Sequence, residues 1–446
     1  MAFLLTWHGT LLCRQRQSGA LVHRPLLPAA QDDVEPIALD VPIELLQPSF
    51  SNHLRAAQPE LPANPPGELQ RFQLAWSDDC RTVILKAGSS LLSAEPHGDR
   101  TDLFRTEARG WENFLPLSAI DLATLRTLLG ASWLIGSSGA LVERPEIGQY
   151  FLLRLGETQI DLRYQLPFDL ANWPFRLTVL QDGWRIERIF QYRPLIYYAA
   201  FGHSEIMQQL AISIRSLIEF GRYEGPILVL TDQSPTSVAS FLFPTDAARV
   251  SLLQFEPIDR HGFMTARYLL HDWPQGRQFQ PVLYLDTDVI IDNEVAPILR
   301  DVAMADRIAA PVELMSTLAR NPASGATLLQ RDLCSPGYMA GFNSGTLGVP
   351  NLRDHAETLR LIRRIIVNHG LLVGRDALPF ADQEIANYVS YRTGCFDTAL
   401  ISRFVRYAGH DAHEKARCGM VHFWPVPGAA ERVRAMRNYL EQLRMS

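Results

Sequence analysis

The stretch that decides the fold runs from Val282 to Asp292 and reads VLYLDTDVIID. Its apolar residues form a short continuous run rich in β-branched and aromatic side chains, which is typical of a buried strand. Two carboxylates, Asp286 and Asp288, stand one residue apart inside that run. Charges in an apolar setting are costly unless they are paired, protonated or bound to a metal. The pattern therefore predicts a strand with functional carboxylates at its carboxyl end.

The spacing of the two carboxylates predicts how they are used. In an extended chain the direction of the side chains repeats every second residue, so Asp286 and Asp288 are expected on one side. Two carboxylates on one side can bind one hard divalent cation such as Mg²⁺ or Mn²⁺.

The chain around this stretch alternates between strands and helices from about Arg185 onward. PLIYYAAFG, ending at Gly202, and PILVLTD, from Pro226, read as strands. Between them SEIMQQLAISIRSLIEFG reads as an amphipathic helix with Ser204 as N-cap and Gly221 as C-cap. This order predicts a βαβ unit with a parallel sheet, whose ligand crevice lies beyond the carboxyl ends of the strands.

The N-terminal part of the sequence repeats itself. SGALVHRP (18–25) and SGALVERP (138–145) agree in seven of eight letters, and weaker echoes begin at Ser51 and Ala87. A period of about 40 residues with short strands broken by Gly, Pro and Ser predicts all-β units that stack on their copies. Within this part, Ser118–Leu129 reads as a helical insertion capped by Ser118 or Asp121.

Length and composition predict the number of domains, the expected location and the kinds of partner that the charge argues against. A chain of 446 residues predicts two domains, placed at 1–183 and 184–446. A net charge of −6 argues against a general nucleic-acid or membrane-surface binder, although local basic patches remain possible. The five cysteines are scattered, which predicts unpaired thiols in a reducing compartment. With no signal peptide and no apolar stretch of about 18 residues, the cytoplasm is the expected location and no transmembrane segment is predicted.

The segment 84–117, ILKAGSSLLSAEPHGDRTDLFRTEARGWENFLPL, resembles one repeat of the β-trefoil domains of the fascin and ricin-type lectin group. The other repeats match loosely, and the Gln-x-Trp signature of ricin-type repeats is missing. The resemblance implies a trefoil-like β domain in the N-terminal half. That domain either binds sugar or serves as a structural or protein-docking module.

The pair Asp286 and Asp288 has three interpretations. The first is that one carboxylate is a solvated or turn-capping residue and the other is a chance neighbour. The second is a haloacid-dehalogenase-type phosphatase, with the first Asp as nucleophile and the second as general acid. That chemistry needs a downstream lysine followed by an acidic motif, but lysine occurs only at Lys86 and Lys415, and no Asp follows Lys415. The third is a nucleotide-sugar glycosyltransferase of the GT-A architecture, in which D-x-D holds a metal on the donor diphosphate.

Further motifs follow the third interpretation in order. ARYLLHDWPQGRQFQPVLYLDTDVII (266–291) resembles the central motif of glycosyltransferase family 8, the glycogenin and lipopolysaccharide galactosyltransferase group, with Arg267 as its basic residue. GFNSGTLGVPN is similar to the F-N-S/A-G motif of that family and implies Asn343, Ser344 and Gly345 as donor-binding residues, together with Arg267 and Asp286.

Two later segments complete the resemblance. FADQEIANYV resembles the D-Q-D motif, which implies Asp382 and Gln383 as catalytic residues, and Gln383 is the family's residue closest to the reacting carbon. MVHFWPVPG resembles the terminal motif and implies His422 as the third metal ligand beside Asp286 and Asp288. From the residues alone, Asp382 is also a candidate helix cap, Arg267 a surface residue, and His422 a core histidine.

The resemblance implies a two-domain chain whose C-terminal half is a GT-A glycosyltransferase. Its expected activity is the retaining, metal-dependent transfer of a hexose from a UDP-sugar to a carbohydrate-containing acceptor, with Mn²⁺ or Mg²⁺ as cofactor. Two departures favour the alternative of a non-catalytic carbohydrate-binding or scaffold protein. The family's Gly-Lys after the terminal histidine is absent, with Arg432 or Arg434 as substitutes, and Glu384 replaces the family's second Asp.

Overall fold

The computed structural model describes residues 2–27, 33–39, 72–77, 81–96, 100–136, 139–142, 144–156, 158–165, 177–181, 185–256, 260–374, 380, 382–409 and 417–446. The chain divides into two compact units, Met1–Gln191 and Tyr192–Ser446. The echo that begins at Ser51 lies outside the described residues.

The N-terminal unit is built largely of short strands. They are β1 (Ala2–Thr6), β2 (Thr10–Gln15), β3 (Leu21–Pro25), β4 (Val34–Pro36), β5 (Ala38–Leu39), β6 (Gln73–Trp76), β7 (Val83–Ala87), β8 (Ser90–Ala94), β9 (Thr101–Arg105), β10 (Phe114–Ser118), β11 (Ser132–Ile135), β12 (Ala140–Val142), β13 (Glu146–Ile147), β14 (Leu152–Leu155), β15 (Thr158–Asp161), β16 (Leu177–Gln181) and β17 (Arg185–Tyr192). Its helices are α1 (Ala119–Leu129) and α2 (Leu162–Gln165).

Ten of these strands form one sheet in the order β3-β2-β1-β10-β7-β8-β9, with β4, β5 and β6 beside it. A bridge between Val22 and Arg100 joins the two ends of this order. The Thr101 hydroxyl strengthens the junction by donating to the Leu21 carbonyl at 2.9 Å. The sheet therefore closes on itself, which protects strand edges that would otherwise be exposed.

The duplicated octapeptide adopts the same local structure twice. In both copies a glycine with positive φ, Gly19 at 69° and Gly139 at 64°, turns a hairpin. Its N–H donates to the residue four positions earlier, Gln15 at 2.9 Å and Ile135 at 2.8 Å. The strands that follow belong to different sheets, because β3 lies in the ten-stranded sheet and β12 in a four-stranded one. The repeated turn is confirmed, whereas the threefold arrangement of a β-trefoil stays a prediction.

The helical insertion predicted for Ser118–Leu129 is confirmed as α1. Ser118 is the N-cap, and its hydroxyl accepts from the Asp121 N–H at 2.9 Å. The Asp121 carboxylate in turn accepts from the Ser118 N–H at 3.0 Å. Both predicted capping residues thus take part in one capping box.

Replacing Ser118 by alanine is expected to lower the free energy of unfolding of the N-terminal unit by about 1 kcal/mol, because the Asp121 N–H loses the hydroxyl that accepts its hydrogen bond. Urea unfolding followed by circular dichroism measures the change. Thr127→Ala, on the exposed side of the same helix, is the matched control and should be close to neutral. Equal effects of the two substitutions would contradict the capping role.

The C-terminal unit alternates strands and helices. Its strands are β18 (Leu195–Ala199), β19 (Ile227–Thr231), β20 (Val250–Gln254), β21 (Val282–Leu285), β22 (Val289–Ile291), β23 (Ile308–Ala309), β24 (Val312–Thr317), β25 (Ala340–Phe342), β26 (Thr346–Val349), β27 (Phe396–Asp397), β28 (Val405–Tyr407) and β29 (Met420–His422). Its helices are α3 (Ser204–Glu219), α4 (Pro235–Phe241), α5 (Pro244–Ala247), α6 (Arg260–Thr265), α7 (Ala296–Met304), α8 (Ala326–Arg331), α9 (Leu352–Leu372), α10 (Asp382–Thr393) and α11 (Ala429–Met445).

Seven strands form the central sheet in the order β20-β19-β18-β21-β26-β23-β27. The first four are parallel, and β26 is antiparallel to β21. Consecutive residues of one strand pack on opposite faces: Tyr284 belongs to one hydrophobic cluster, and Leu283 and Leu285 belong to the other. Burial on both faces explains why the strand sequences are continuous apolar runs. The predicted βαβ unit and α/β class of this half are confirmed.

The helix predicted between the first two strands is α3, but its caps differ from the prediction. The N-cap is His203 rather than Ser204, and the C-cap is Phe220 rather than Gly221. Gly221 is required for another reason: a Cβ there would lie 2.5 Å from the Leu217 carbonyl oxygen and 2.9 Å from Ile291. The glycine therefore permits close packing where the helix ends.

No helix among the described residues is both long and apolar enough to cross a membrane. Four of the five cysteines lie in the described residues, and Cys334, Cys395 and Cys418 among them are free thiols, as predicted.

Candidate active site

The two carboxylates of the D-x-D stretch lie just beyond the carboxyl end of β21. The backbone turns there, and the Val289 N–H donates to the Asp286 carbonyl at 3.2 Å. The extended conformation predicted from Asp286 to Asp288 is therefore wrong, because the chain must turn to enter β22. Even so, one oxygen of each carboxylate and one ring nitrogen of His422 all lie within 4.8 Å of one another.

Gly345 lies against this group because β26 pairs with β21. The Asp286 N–H donates to the Gly345 carbonyl at 2.7 Å. A Cβ on Gly345 would lie 2.5 Å from His422 Cε1 and 2.6 Å from Asp286 Oδ2. The glycine in the F-N-S-G segment is therefore required by space, since any side chain would displace the two candidate ligands.

His422 enters the site through a second, smaller sheet. β29 pairs antiparallel with β22, and the register places His422 opposite Val289. His422 Nε2 consequently lies 3.1 Å from Asp288 Oδ1, and both side chains are buried. The Phe423 N–H adds a bond to the Asp288 carbonyl at 3.0 Å.

Arg267 is not a surface residue. Its side chain is 11% exposed, and its guanidinium lies 3.2 Å from Asp286 Oδ1 and 3.5 Å from Asp382 Oδ2. It also donates to the Ser344 carbonyl at 2.7 Å. One guanidinium thus links three of the segments that the sequence singled out.

Asp382 lies at the start of the helix that was predicted to begin near Gln383. It is the first residue of α10 and is 1% exposed. Its carboxylate accepts from the Tyr268 hydroxyl at 2.9 Å and faces Arg267. The side chain therefore belongs to the polar centre of the site.

Glu313, in β24, connects the remaining two site residues. Its Oε2 accepts from Asn343 Nδ2 at 2.9 Å and from Gln383 Nε2 at 3.1 Å. The carbonyl ends of the two amides accept backbone N–H groups, from Gly345 at 2.8 Å and from Ser344 at 3.2 Å. Both amides are thereby held in one orientation.

Sequence reasoning missed Glu313 and did not distinguish Arg432 from Arg434. Glu313 is a buried carboxylate, and the available signal was a lone acid in the apolar run IAAPVELM. Arg432 donates to Asp288 Oδ2 at 2.8 Å, whereas Arg434 is exposed. The basic residue that follows the terminal motif is thus in contact with the D-x-D pair.

Electrostatics couple these groups. Burial disfavours the charged forms, but the attraction between Asp288 and His422, with Arg432 adding to it, lowers the pKa of Asp288 and raises the pKa of His422. Burial likewise opposes the charge on Arg267, yet Asp286 and Asp382 raise its pKa. Burial raises the pKa of Asp382 despite the opposing effect of Arg267.

The donor set fits a divalent cation. Two carboxylate oxygens and one imidazole nitrogen are ligands that Mn²⁺ accepts and Mg²⁺ partly shares. The carboxylates of the site outnumber its cationic side chains; the carboxylates are Asp286, Asp288, Glu313 and Asp382, and the cationic side chains are Arg267, Arg432 and His422. Nδ1 of the buried His422 has no hydrogen-bond partner among the described residues, and a bound cation with its waters would supply one.

Replacing Glu313 by glutamine is expected to lower kcat of the proposed sugar transfer by about tenfold, since loss of a supporting hydrogen-bond partner typically costs 10–100-fold. An amide at this position places an N–H₂ group or a weaker acceptor against two amide donors, so Asn343 and Gln383 lose their fixed orientation. Steady-state kinetics separates this loss from a change in KM for the donor. A variant with unchanged kcat would show that the carboxylate has no positioning role.

Comparison with known proteins gave no matching family model and no matching curated protein sequence. Solved structures that resemble this chain are glycosyltransferases. One is the galactosyltransferase LgtC in complex with donor and acceptor sugar analogues, at 16% identity and a TM-score of 0.41, covering 56% of this chain and 95% of LgtC.

Two further structures are similar. Mouse xyloside xylosyltransferase 1 has 11% identity and a TM-score of 0.37, covering 52% of this chain and 97% of that one. The glycosyltransferase GlyE of Streptococcus pneumoniae has 16% identity and a TM-score of 0.37, covering 56% of this chain and 63% of that one.

Proposed function

We propose that this protein is a retaining, metal-dependent glycosyltransferase with a GT-A, family 8-like C-terminal domain that transfers a hexose from a UDP-sugar to a carbohydrate-containing acceptor. One observation carries the proposal. Nine residues selected from separate motifs meet in one polar site at the carboxyl end of β21; they are Arg267, Asp286, Asp288, Asn343, Ser344, Gly345, Asp382, Gln383 and His422. Ligands of open α/β sheets bind at such an edge.

Each residue of the candidate site has a proposed role. Asp286, Asp288 and His422 hold the cation, and the guanidinium of Arg267 holds the carboxylates of Asp286 and Asp382 in place. The fixed amide of Gln383 lies beside the reacting sugar carbon in the proposed complex. Because side chains that bind each other cannot rotate freely, the site is preorganised to position the donor.

Bound at this site, Mn²⁺ or Mg²⁺ would neutralise the donor diphosphate and stabilise it as a leaving group. In the proposed transfer the bond from the sugar carbon to the diphosphate oxygen breaks, and a bond to the acceptor oxygen forms on the same face. The acceptor hydroxyl proton passes to the departing diphosphate oxygen. The described site residues thus supply orientation and charge rather than a covalent intermediate.

Several parts of the proposal concern the rest of the chain. We place the domain boundary near residue 184, and we propose that the N-terminal domain is a β-trefoil-like module that binds or presents the acceptor. The acceptor is a glycan, a lipid-linked sugar or a glycosylated protein, and nucleic acid is not a partner. The cytoplasm is the proposed location.

A second candidate is a non-catalytic carbohydrate-binding or scaffold protein. It is favoured by the contacts of Asp288, whose two oxygens are already engaged by His422 and Arg432. A carboxylate that is neutralised by the protein needs no cation. No lysine follows His422 in the sequence either.

Thermal unfolding with UDP, Mn²⁺ or both separates the two candidates. A ligand at 100 times its Kd adds about 2.7 kcal/mol to the free energy of unfolding, so the transferase should show a clear shift with UDP and Mn²⁺ together. Hydrolysis of a panel of UDP-sugars then identifies the donor. No shift with any nucleotide and metal would support the scaffold.

A further inference from the structure

Exposed apolar side chains are concentrated in one segment of the C-terminal unit. Nine of the seventeen large apolar residues that are exposed in the described part of the chain lie between Leu333 and Phe380, which spans only 48 of 446 residues. The most exposed are Leu333 at 92%, Tyr338 at 90% and Leu372 at 84%. A concentration of this kind marks an interaction surface, because scattered apolar residues are ordinary and clustered ones are not.

The fold brings these residues to one side of the unit. Leu328 of α8, Ile365 of α9 and Tyr388 of α10 pack against the same hydrophobic cluster, so the three helices lie on one face of the central sheet. Leu333 follows α8 directly, and Leu371, Leu372 and Val373 end α9. We call the set Leu333, Tyr338, Leu371, Leu372, Val373 and Phe380 the apolar rim.

The apolar rim borders the candidate active site. The Phe380 carbonyl accepts from the Gln383 N–H at 3.3 Å, and its own N–H donates to Glu384 at 2.9 Å. The segment that carries Tyr338 leads through β25 directly to Asn343. A surface that contacts Phe380 would therefore lie next to Gln383.

The charge of the segment selects the partner. Residues 358–375 contain four arginines and no acidic residue, although the whole chain has a net charge of −6. Arg360 and Arg363 pair with Asp272. Arg331, two residues before Leu333, and Arg364, two helical turns before Leu371, are exposed. Apolar tips flanked by arginine are typical of segments that enter the interface of an anionic bilayer. A second copy of the chain fits less well, because a twofold contact of rim on rim places these arginines against their own copies.

We propose that the apolar rim docks the protein onto an anionic membrane surface, with Leu371 and Leu372 entering the headgroup region and Arg331 and Arg364 facing the lipid phosphates. Docking goes beyond the proposed function and stands without it. If the protein is a glycosyltransferase, the proximity of the rim to Gln383 makes a lipid-anchored acceptor the substrate class; this clause rests on the proposed function.

Flotation of the full chain with phosphatidylcholine vesicles, with and without phosphatidylglycerol, tests the docking. The protein is expected to float only with the anionic vesicles and less at high salt. Leu371→Glu/Leu372→Glu should weaken binding on the order of tenfold or more, and Arg364→Gln about fivefold. Met445→Glu, an exposed apolar residue at the end of another helix, is the matched control and should bind like the unmodified chain.

Two outcomes overturn the proposal: equal flotation with neutral vesicles, or no flotation at all. A dimer in light scattering that Leu371→Glu/Leu372→Glu dissolves would assign the rim to a second copy instead. Should the double glutamate variant fail to fold, Arg364→Gln alone decides the charge dependence. The shift of the unfolding temperature by UDP and Mn²⁺ tests the glycosyltransferase separately, because the rim residues are not in the metal site.

Discussion

Replacing Asp288 by asparagine is expected to remove most of the metal-dependent turnover of UDP-sugars. A catalytic metal supplies several kcal/mol of transition-state stabilisation and each 1.4 kcal/mol is tenfold, so the expected loss in kcat is on the order of 10²–10³-fold. The amide keeps the shape of the side chain but cannot offer a charged oxygen to the cation. It also loses the charge that His422 and Arg432 contact at 3.1 and 2.8 Å.

Three measurements separate chemistry from folding. Turnover of the UDP-sugar at saturating Mn²⁺ gives the loss in kcat, titration of Mn²⁺ gives the loss in metal affinity, and circular dichroism gives the fold. Asp301→Asn, which removes a carboxylate that pairs with Arg403 at the surface, is the control and should change none of them. Full metal-dependent turnover by Asp288→Asn would remove the metal role from the D-x-D pair.

The scaffold alternative predicts a different result for the same variant, namely a loss of stability without any effect of Mn²⁺. If Arg432 and His422 only neutralise a structural carboxylate, Asp288→Asn leaves the buried His422 and the half-buried Arg432 without their charged partner and lowers the unfolding temperature. In that case Mn²⁺ stabilises neither the unmodified chain nor the variant. The function is identified by the change in unfolding temperature together with the stabilisation by Mn²⁺, and not by either measurement alone.

Local patterns predicted the elements that depend on neighbouring residues. The strand that ends before Asp286, the helix from Ser204 and the capping box of Ser118 with Asp121 all follow from periodicity and cap chemistry within a few positions of the chain. Helix ends were less well predicted. Tertiary packing against Ile291, rather than cap chemistry, accounts for Gly221.

The full set of site residues could be identified only from the pairing of the strands in the folded chain. Glu313 contacts Asn343 and Gln383 only because β24 pairs with β25 and because Asn387 ties α10 to the Phe342 backbone at 2.9 Å. Those pairings join positions that lie 30 to 70 residues apart in the chain. No spacing rule in a single sequence reports them, which is why a motif list found the two amides and missed the carboxylate that orients them.

Replacing Gly345 by alanine is expected to lower kcat on the order of 10²-fold, because a displacement of about 1 Å in a preorganised site costs that much. The new methyl would lie 2.5 Å from His422 Cε1, 2.6 Å from Asp286 Oδ2 and 2.8 Å from Asn343 Oδ1. At those distances all three groups must move, and they are two proposed metal ligands and one proposed donor contact. Overpacking also lowers the free energy of unfolding by about 1–3 kcal/mol.

A neighbouring glycine provides the control that isolates the site. Gly348 lies in β26, the strand that begins directly after Gly345, and a Cβ there would lie 2.6 Å from Val302 in the hydrophobic core. Gly348→Ala should therefore destabilise the fold to a similar degree while leaving the Mn²⁺ affinity of the folded protein unchanged. Gly345→Ala should lose both Mn²⁺ affinity and kcat. The two variants could instead lose activity only in proportion to their unfolded fractions. In that case the close packing around Gly345 serves only the fold, and Asp286, Asp288 and His422 do not bind a metal.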